Sequence, residues 1–487
     1  MGIPDPVVDP LPDPALRSRR VPPEGGEPRW GILAAALTPL PLWVGMLASP
    51  AWSLMSEALV LTALALGVAV GSALLALVLR ASRAGQTLAD AFGRRGRVLA
   101  LGLSAGLFGL VGGVSTWWAA EVLGEVGPLA PLPLAVRVAA VLAVGWGVGH
   151  LYRRGHVGPL LLTAAVAVVG WGGVAVQVPW LYHLTTPLGM AVVPVGDKAV
   201  AQSAAFMTQL YWSRFADLAS LGAASVMVVI PFFAAPGPKP ASRFGRRRRG
   251  GRGAPIAIAA TFGAAALGLM ALGTELAGVG FGNPAQAALH AVGRAAVLAV
   301  VAGAVGLVAV MSTLAGGMWR RPALGATATA SALLVAAFMA LTLFQPDSVA
   351  QFRAPLPWPN RLVNAQTGVL AAAYIVAPWL GVLLARQVRT RHRARMPVPF
   401  GREHPAGPIA AWLAGLLVSL PFMQGFARWA GGPWLHRWVP GIAAHWTLWF
   451  WVPLEPGQPD VALAVGMLAA GVIYGGGHAL GVRWRRH

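Results

Sequence analysis

Met55–Arg80 reads MSEALVLTALALGVAVGSALLALVLR, and after Glu57 it runs 22 residues before the next charge, Arg80. A helix needs about 20 mainly apolar residues to cross a bilayer. The link that follows, to Arg97, holds five arginines counting Arg80. This alternation of apolar span and arginine-bearing link decides the fold class. It recurs from Trp30 to the C-terminus, placing spans at 30–50, 55–80, 98–122, 130–151, 157–179, 207–234, 254–277, 290–317, 322–344, 364–386, 406–426 and 460–482. The fold class is therefore an all-α polytopic membrane protein with about twelve transmembrane helices. Residues 430–458 carry five Trp and read as an interfacial helix or an outward loop.

Composition agrees. Hydrophobic residues make up 56% of the 487-residue chain and charged residues only 11%, against roughly a quarter charged in soluble proteins. The 61 glycines suit helices that approach closely in lipid. Many of the 20 Trp stand near span ends, where indole rings favour the interface. Residues 1–29 are rich in Pro and Asp with no apolar core, which predicts a disordered cytoplasmic tail and not a signal peptide. Residues 30–487 read as one transmembrane domain.

The net charge of +21 is a topology signal. Proposed inner segments hold 29 of the 37 Lys and Arg, and every inner link contains an Arg pair or cluster. By the positive-inside rule this predicts an inner-membrane protein with both termini cytoplasmic. Arg246-Arg247-Arg248-Arg249 reads as a cytoplasmic anchor between spans six and seven, so lipid is expected as a partner and nucleic acid is not.

Several chemistries are excluded. Cysteine is absent, which removes disulfides and thiolate sites. No GxxxxGK[ST] loop or HExxH motif occurs, so ATP-driven pumping and zinc hydrolysis are not expected. Gly102-Leu103-Ser104-Ala105-Gly106 matches GxSxG but lies inside an apolar span, where two GxxxG steps read as helix packing. No cofactor, resident metal or enzymatic activity is expected. Arg214, Asp217, Glu275 and Arg294 are sparse charges within or near spans. Arg214 and Asp217, three residues apart, are placed to pair on one helical face.

Residues 91–96, Ala-Phe-Gly-Arg-Arg-Gly, resemble the SFGxxG link of the nucleobase-cation symporter-1 family, the purine, cytosine and hydantoin permeases. Other stretches align in order. Leu40-Pro41 and Ser53–Leu59 resemble the family's first helix and the start of its second. Gly113-Val114-Ser115-Thr116-Trp117 resembles GIQTW in its third. Gly149–Arg154 is similar to the link before its fifth, and Ile230-Pro231-Phe232 stands at the IPD that ends its sixth. Ala309–Thr313 is similar to ATxST in its eighth, and Ala377-Pro378-Trp379-Leu380-Gly381 to APxxG in its tenth. The resemblance covers about residues 35–385. It implies a leucine-transporter-like inverted five-plus-five repeat (about 30–179 and 207–386) plus helices eleven and twelve (about 406–482).

In such repeats the first helix of each half is interrupted, and the interruptions meet near the midplane. Span one contains Thr38-Pro39-Leu40-Pro41, where proline removes backbone donors. Span six contains Gly222-Ala223-Ala224-Ser225, a permissive stretch. The resemblance implies a sodium-type site made of the carbonyls of Leu37, Leu40 and Ala309 and the hydroxyls of Ser312 and Thr313. The alternative is that both hydroxyls bond back to their own helix. The implied pocket is lined by Thr38, Pro41, Val111, Ser115, Gly222, Ala223, Leu314 and Met318. Here the sequence departs from the family. Val111 replaces a stacking Trp, Ser115 a Gln, Ala223 a second Trp, and Leu314 and Met318 two Asn. The expected function is cation-coupled, permease-like transport of a small organic solute other than a typical nucleobase, driven by sodium or protons. The alternative is a transporter fold serving as a sensor, scaffold or complex subunit.

Single cysteines at Ser82, Ser242 and Thr390 should stay unlabelled by a membrane-impermeant thiol reagent in intact cells. Labelling at any one of them refutes the twelve-span arrangement.

Overall fold

The computed structural model describes residues 39–48, 55, 57–83, 92, 112–113, 115–124, 131–153, 156, 158–177, 200–230, 254–278, 294–317, 358–393, 406–423 and 460–479. All regular elements among these residues are helical. They are α1 (Pro39–Ala48), α2 (Glu57–Arg83), α3 (115–124), α4 (Leu134–Arg153), α5 (Gly158–Gln177), α6 (Val200–Met227), α7 (Ala254–Gly278), α8 (Arg294–Gly317), α9 (Trp358–Arg393), α10 (Ala406–Ser419) and α11 (Ala462–Ala479). The predicted span nine, the Trp-rich 430–458 and the basic run 246–249 lie outside the described residues.

Among the described residues, four stretches, Ala58–Arg80, Leu134–Tyr152, Pro255–Glu275 and Val369–Val388, are long and apolar enough to cross a membrane. The chain is a multi-pass membrane protein. The outer faces of α5, α10 and α11 carry bare apolar side chains, among them Leu162, Leu417 and Leu468, each about two-thirds exposed. Such faces are stable against lipid tails and costly against water.

α1 lies at the centre. Its side chains Leu40, Leu42, Trp43, Val44, Met46 and Ala48 are all buried, and it touches α6, α7, α8 and α9. The main pairings around it are α1 with α7, α2 with α6 and α7, α8 with α4 and α5, and α11 with α9 and α10. Missing side chains set several of these distances. A Cβ on Gly45 would stand 1.9 Å from the Met270 carbonyl oxygen, and one on Gly273 2.1 Å from that of Leu42. The α2–α6 pair repeats the device, with Gly67 against the Ala219 carbonyl and Gly222 against that of Leu64. Helices in lipid gain association energy from such close packing, because burial from lipid brings no hydrophobic gain.

This packing corrects one expectation. Gly222-Ala223-Ala224-Ser225 is no interruption, because α6 runs unbroken through it to Met227 and gives way to a turn at 228–229, just before Pro231. Gly222 is there for the approach of α2, and Ser225 donates to the Gly222 carbonyl at 2.7 Å. Small residues keep a helix regular when a neighbour fills the space. Inside α9, Pro378 withholds the N–H that would serve the Tyr374 carbonyl. The adjacent Ile375 carbonyl accepts a hydrogen bond from Trp412 Nε1 of α10 at 3.0 Å.

A polar junction ties α11 to the bundle. Asp217 of α6 accepts the backbone N–H of Asp460 at 2.9 Å. Ser220 donates to the Asp460 carbonyl at 2.8 Å, and Tyr374 of α9 donates to Asp460 Oδ2. Asp460 Oδ1 in turn accepts the N–H of Ala462, capping α11 at 3.2 Å. Asp217 thus acts across the bundle, beyond the intrahelical pairing with the exposed Arg214 that spacing alone predicts.

Two predictions concern thermal unfolding in detergent. Gly67→Ala should destabilise the protein by about 1–3 kcal/mol through overpacking. Gly172→Ala, whose Cβ meets nothing within 4 Å, should be neutral or slightly stabilising. Equal melting temperatures for the two variants would refute the contact. Asp217→Ala strips a partly buried N–H of its acceptor and should cost about 1–3 kcal/mol, most of it restored by Asp217→Asn, which keeps a carbonyl oxygen.

Candidate functional site

The candidate site is assembled from α1, α3, α6 and α8. Pro39 and Pro41 stand in the first turn of α1, where a helix has N–H groups without intrahelical acceptors and proline forfeits nothing. Leu37 and Thr38 lie outside the described residues. Pro41 lacks the N–H that a helical Leu37 carbonyl would otherwise engage, which is the sequence basis for counting that carbonyl as available.

Ala309 and Ser312 are buried in α8 at 1% exposure each. The Ser312 hydroxyl donates to the Ala309 carbonyl at 2.9 Å, so the back-bonded alternative describes its proton. Its oxygen lone pairs are not consumed by that bond. Thr313 and Leu314 continue α8, while Val111 and Met318 lie outside the described residues. α8 touches α1, which brings the helices of Leu40 and of the Ala309–Ser312 face together.

The structure adds a neighbour that the sequence reading missed. A Cβ on Gly149 of α4 would fall 1.9 Å from Ser312 Oγ and 2.7 Å from the Ala309 carbonyl. The backbone of α4 therefore walls this pair in. Gly145, one turn earlier, meets Val308 in the same way. The Gly145-x-x-x-Gly149 spacing was the available signal. Gly149 opens the stretch that resembles the link before the family's fifth helix, yet it lies inside α4, as the predicted span 130–151 has it.

On the other side of α1, Trp43 packs on Trp118 of α3 with ring centroids 6.0 Å apart and planes at 42°. Ser115, one turn before Trp118, is fully buried. Its neighbours on α3 are occupied: Thr116 donates to the Gly112 carbonyl at 2.7 Å, and Trp117 Nε1 to Glu121 at 2.5 Å. Ala223 is buried, and its stretch of α6 faces α2, as Gly71 meets the Ala223 carbonyl. α6 nevertheless touches α1. Two motifs distant in sequence also meet: Phe92 lies against Trp379 with centroids 6.2 Å apart.

No family model and no curated protein matches the chain. Among solved structures it is similar to an inward-facing conformation of Mhp1, at 14% identity, 94% coverage of this chain, 92% of that chain and a TM-score of 0.53. It also matches Mhp1 in a closed conformation with bromovinylhydantoin bound, at 16% identity, 93% and 91% coverage and a TM-score of 0.46. That structure is described as a nucleobase-cation-symport-1 family transporter. The central α1, the helices packed about it and a likeness that runs nearly the length of both chains give this protein the fold of Mhp1.

Proposed function

We propose that the chain is a divergent member of the nucleobase-cation symporter-1 family and a cation-coupled secondary transporter of a small organic solute. Its place is the inner membrane, with twelve spans and both termini cytoplasmic. The observation that carries the reading is the buried Ala309 carbonyl–Ser312 hydroxyl pair on α8, enclosed by α4 on a helix that touches α1. A buried oxygen pair beside a proline-initiated helix is suited to a hard cation, which takes oxygen ligands. Leu37, Leu40, Ala309, Ser312 and Thr313 would hold it.

The pairing pattern supports an inverted repeat. Exchanging span one with six and two with seven turns the α1–α7 contact into the α6–α2 contact, and both are made by glycines against carbonyls. With Val111, Ala223, Leu314 and Met318 in place of aromatic and amide residues, the pocket formed with Thr38, Pro41, Ser115 and Gly222 is mainly apolar. A typical nucleobase, which needs stacking faces and amide partners, is a poor fit. The second reading, a transporter fold without transport, draws on the same losses and on the back-bonded Ser312.

Sodium should raise the melting temperature of the purified wild type, and Ser312→Ala and Thr313→Val should weaken that stabilisation by about 1–3 kcal/mol, the cost of an unmet charged partner. Thr313→Val keeps shape and removes only the oxygen. A wild type indifferent to sodium, or variants that respond like it, rejects the sodium site. Proton-driven uptake into proteoliposomes then decides between proton coupling through Asp217 or Glu275 and the non-transporting reading.

A further inference from the structure

The described helices fall into three groups by their packing. α1, α2, α6 and α7 pack together, α8 packs with α4 and α5, and α11 with α9 and α10. Glycine sets the spacing inside each. Gly45 rests on the Met270 carbonyl in the first group, Gly170 on the Ala299 backbone in the second and Gly381 on the Met467 carbonyl in the third. On these helices each described glycine that closely meets a neighbouring helix meets one of its own group. The first and third groups join along a seam where α9 runs beside α6, α1 and α2. Among the described residues, hydrogen bonds cross this seam at two places.

At one place the Asp460 N–H donates to Asp217 Oδ1 at 2.9 Å, and Ser220 donates to the Asp460 carbonyl at 2.8 Å. Asp460 is 3% exposed. Its side chain is fixed inside the third group, by the Tyr374 hydroxyl on Oδ2 and the Ala462 N–H on Oδ1. At the other place Gln387 Nε2 of α9 donates to the Leu77 carbonyl of α2 at 3.3 Å. Tyr374 and Gln387 stand about 20 Å apart along α9, at 1.5 Å of rise per residue. In the twelve-span arrangement Asp460 opens the last span at the outer face and Gln387 follows span ten at the inner face. The two ties therefore face opposite sides of the membrane.

The two kinds of contact respond differently to separation. A glycine contact is held by dispersion at short range, and this is lost as soon as the axes part. A hydrogen bond at a membrane face can be exchanged for bonds to water at a small net cost. The groups are thus built to move as units, and the seam to part at one end and close again. We infer that this seam is the joint along which the protein opens, and that the bonds from Asp217 and Ser220 to Asp460 are its outer latch. The seam itself is a property of the packing; its use in a transport cycle rests on the transport reading above.

The chain has no cysteine, so a single introduced thiol reports on the latch. Ser213, Asp217 and Ser220 share one face of α6 by their i, i+4, i+7 spacing. Ser213 lies one turn beyond Asp217 and is 2% exposed. Ser419 is fully buried against Gly466, inside the third group. In detergent-purified protein, well below the melting transition, Ser213→Cys should react slowly with a water-soluble maleimide. Adding Ser220→Ala, which removes a bond across the seam, should raise that rate about threefold to tenfold, the scale of one hydrogen bond. Tyr374→Phe, which loosens Asp460 and keeps the ring, should do the same, because the rate follows the population of the opened seam. Ser419→Cys should stay unreactive in both backgrounds, and Gln387→Met should not speed the reaction at position 213. The inference is overturned if Ser220→Ala or Tyr374→Phe leaves the rate at 213 unchanged, or if Gln387→Met raises it alike. It is also overturned if positions 213 and 419 become reactive together, since the junction then holds the whole fold. The measurement needs no solute, cation or membrane. Absent uptake into proteoliposomes therefore rejects the transport reading and not the seam, while an unchanged rate at 213 rejects the latch and not transport.

Discussion

Much of the architecture depends on backbone meeting backbone where a side chain is missing. In lipid, helices gain nothing by hiding apolar surface from tails that are equally apolar. What remains is dispersion at short range, and this grows only if the axes come close. Gly45 and Gly273 bring α1 and α7 together, Gly67 and Gly222 bring α2 and α6 together, and Gly381 sets α9 against the Met467 carbonyl of α11. Because these contacts surround α1, a ten-residue helix with two prolines is held with its central side chains buried.

The same constraint shapes the polar interior. A bilayer offers no water to unmet groups, so most are settled locally. Thr116 and Ser225 bond to their own helices, and the carbonyl beside the Pro378 defect finds the Trp412 indole. Oxygen pairs such as Ala309 and Ser312 are enclosed by glycine at α4.

Hydropathy and arginine placement carried the span assignments well. Span seven, read as 254–277, is Ala254–Gly278, and span eight, read as 290–317, is Arg294–Gly317. The errors have physical causes. α9 runs Trp358–Arg393 against a predicted 364–386, because hydropathy reports the apolar slab while a helix continues through polar turns. Gly222 signalled flexibility by residue type, yet its role is proximity, which appears only when the facing helix is present. Gly149 fell within the predicted span 130–151, and only the resemblance read the stretch that it opens as a link. Asp460 went unremarked beside a Trp-rich segment, although it organises three helices. The Ser312 face was legible through the resemblance. The packing of Trp43 on Trp118 was not, because it joins two helices whose facing sides hydropathy does not specify.

The junction between Asp217 and Asp460 also bears on biogenesis. The two partners are 243 residues apart. At ribosomal speeds of about 5–20 residues per second, roughly 10–50 s pass between synthesis of the carboxylate and synthesis of the amide that it caps. During that interval the Asp217 carboxylate is without the Asp460 N–H that it accepts in the finished bundle. The final span is then what commits the sixth helix to its place. A chain released before residue 460 retains every helix that surrounds α1, yet lacks the backbone N–H that Asp217 accepts in the finished bundle.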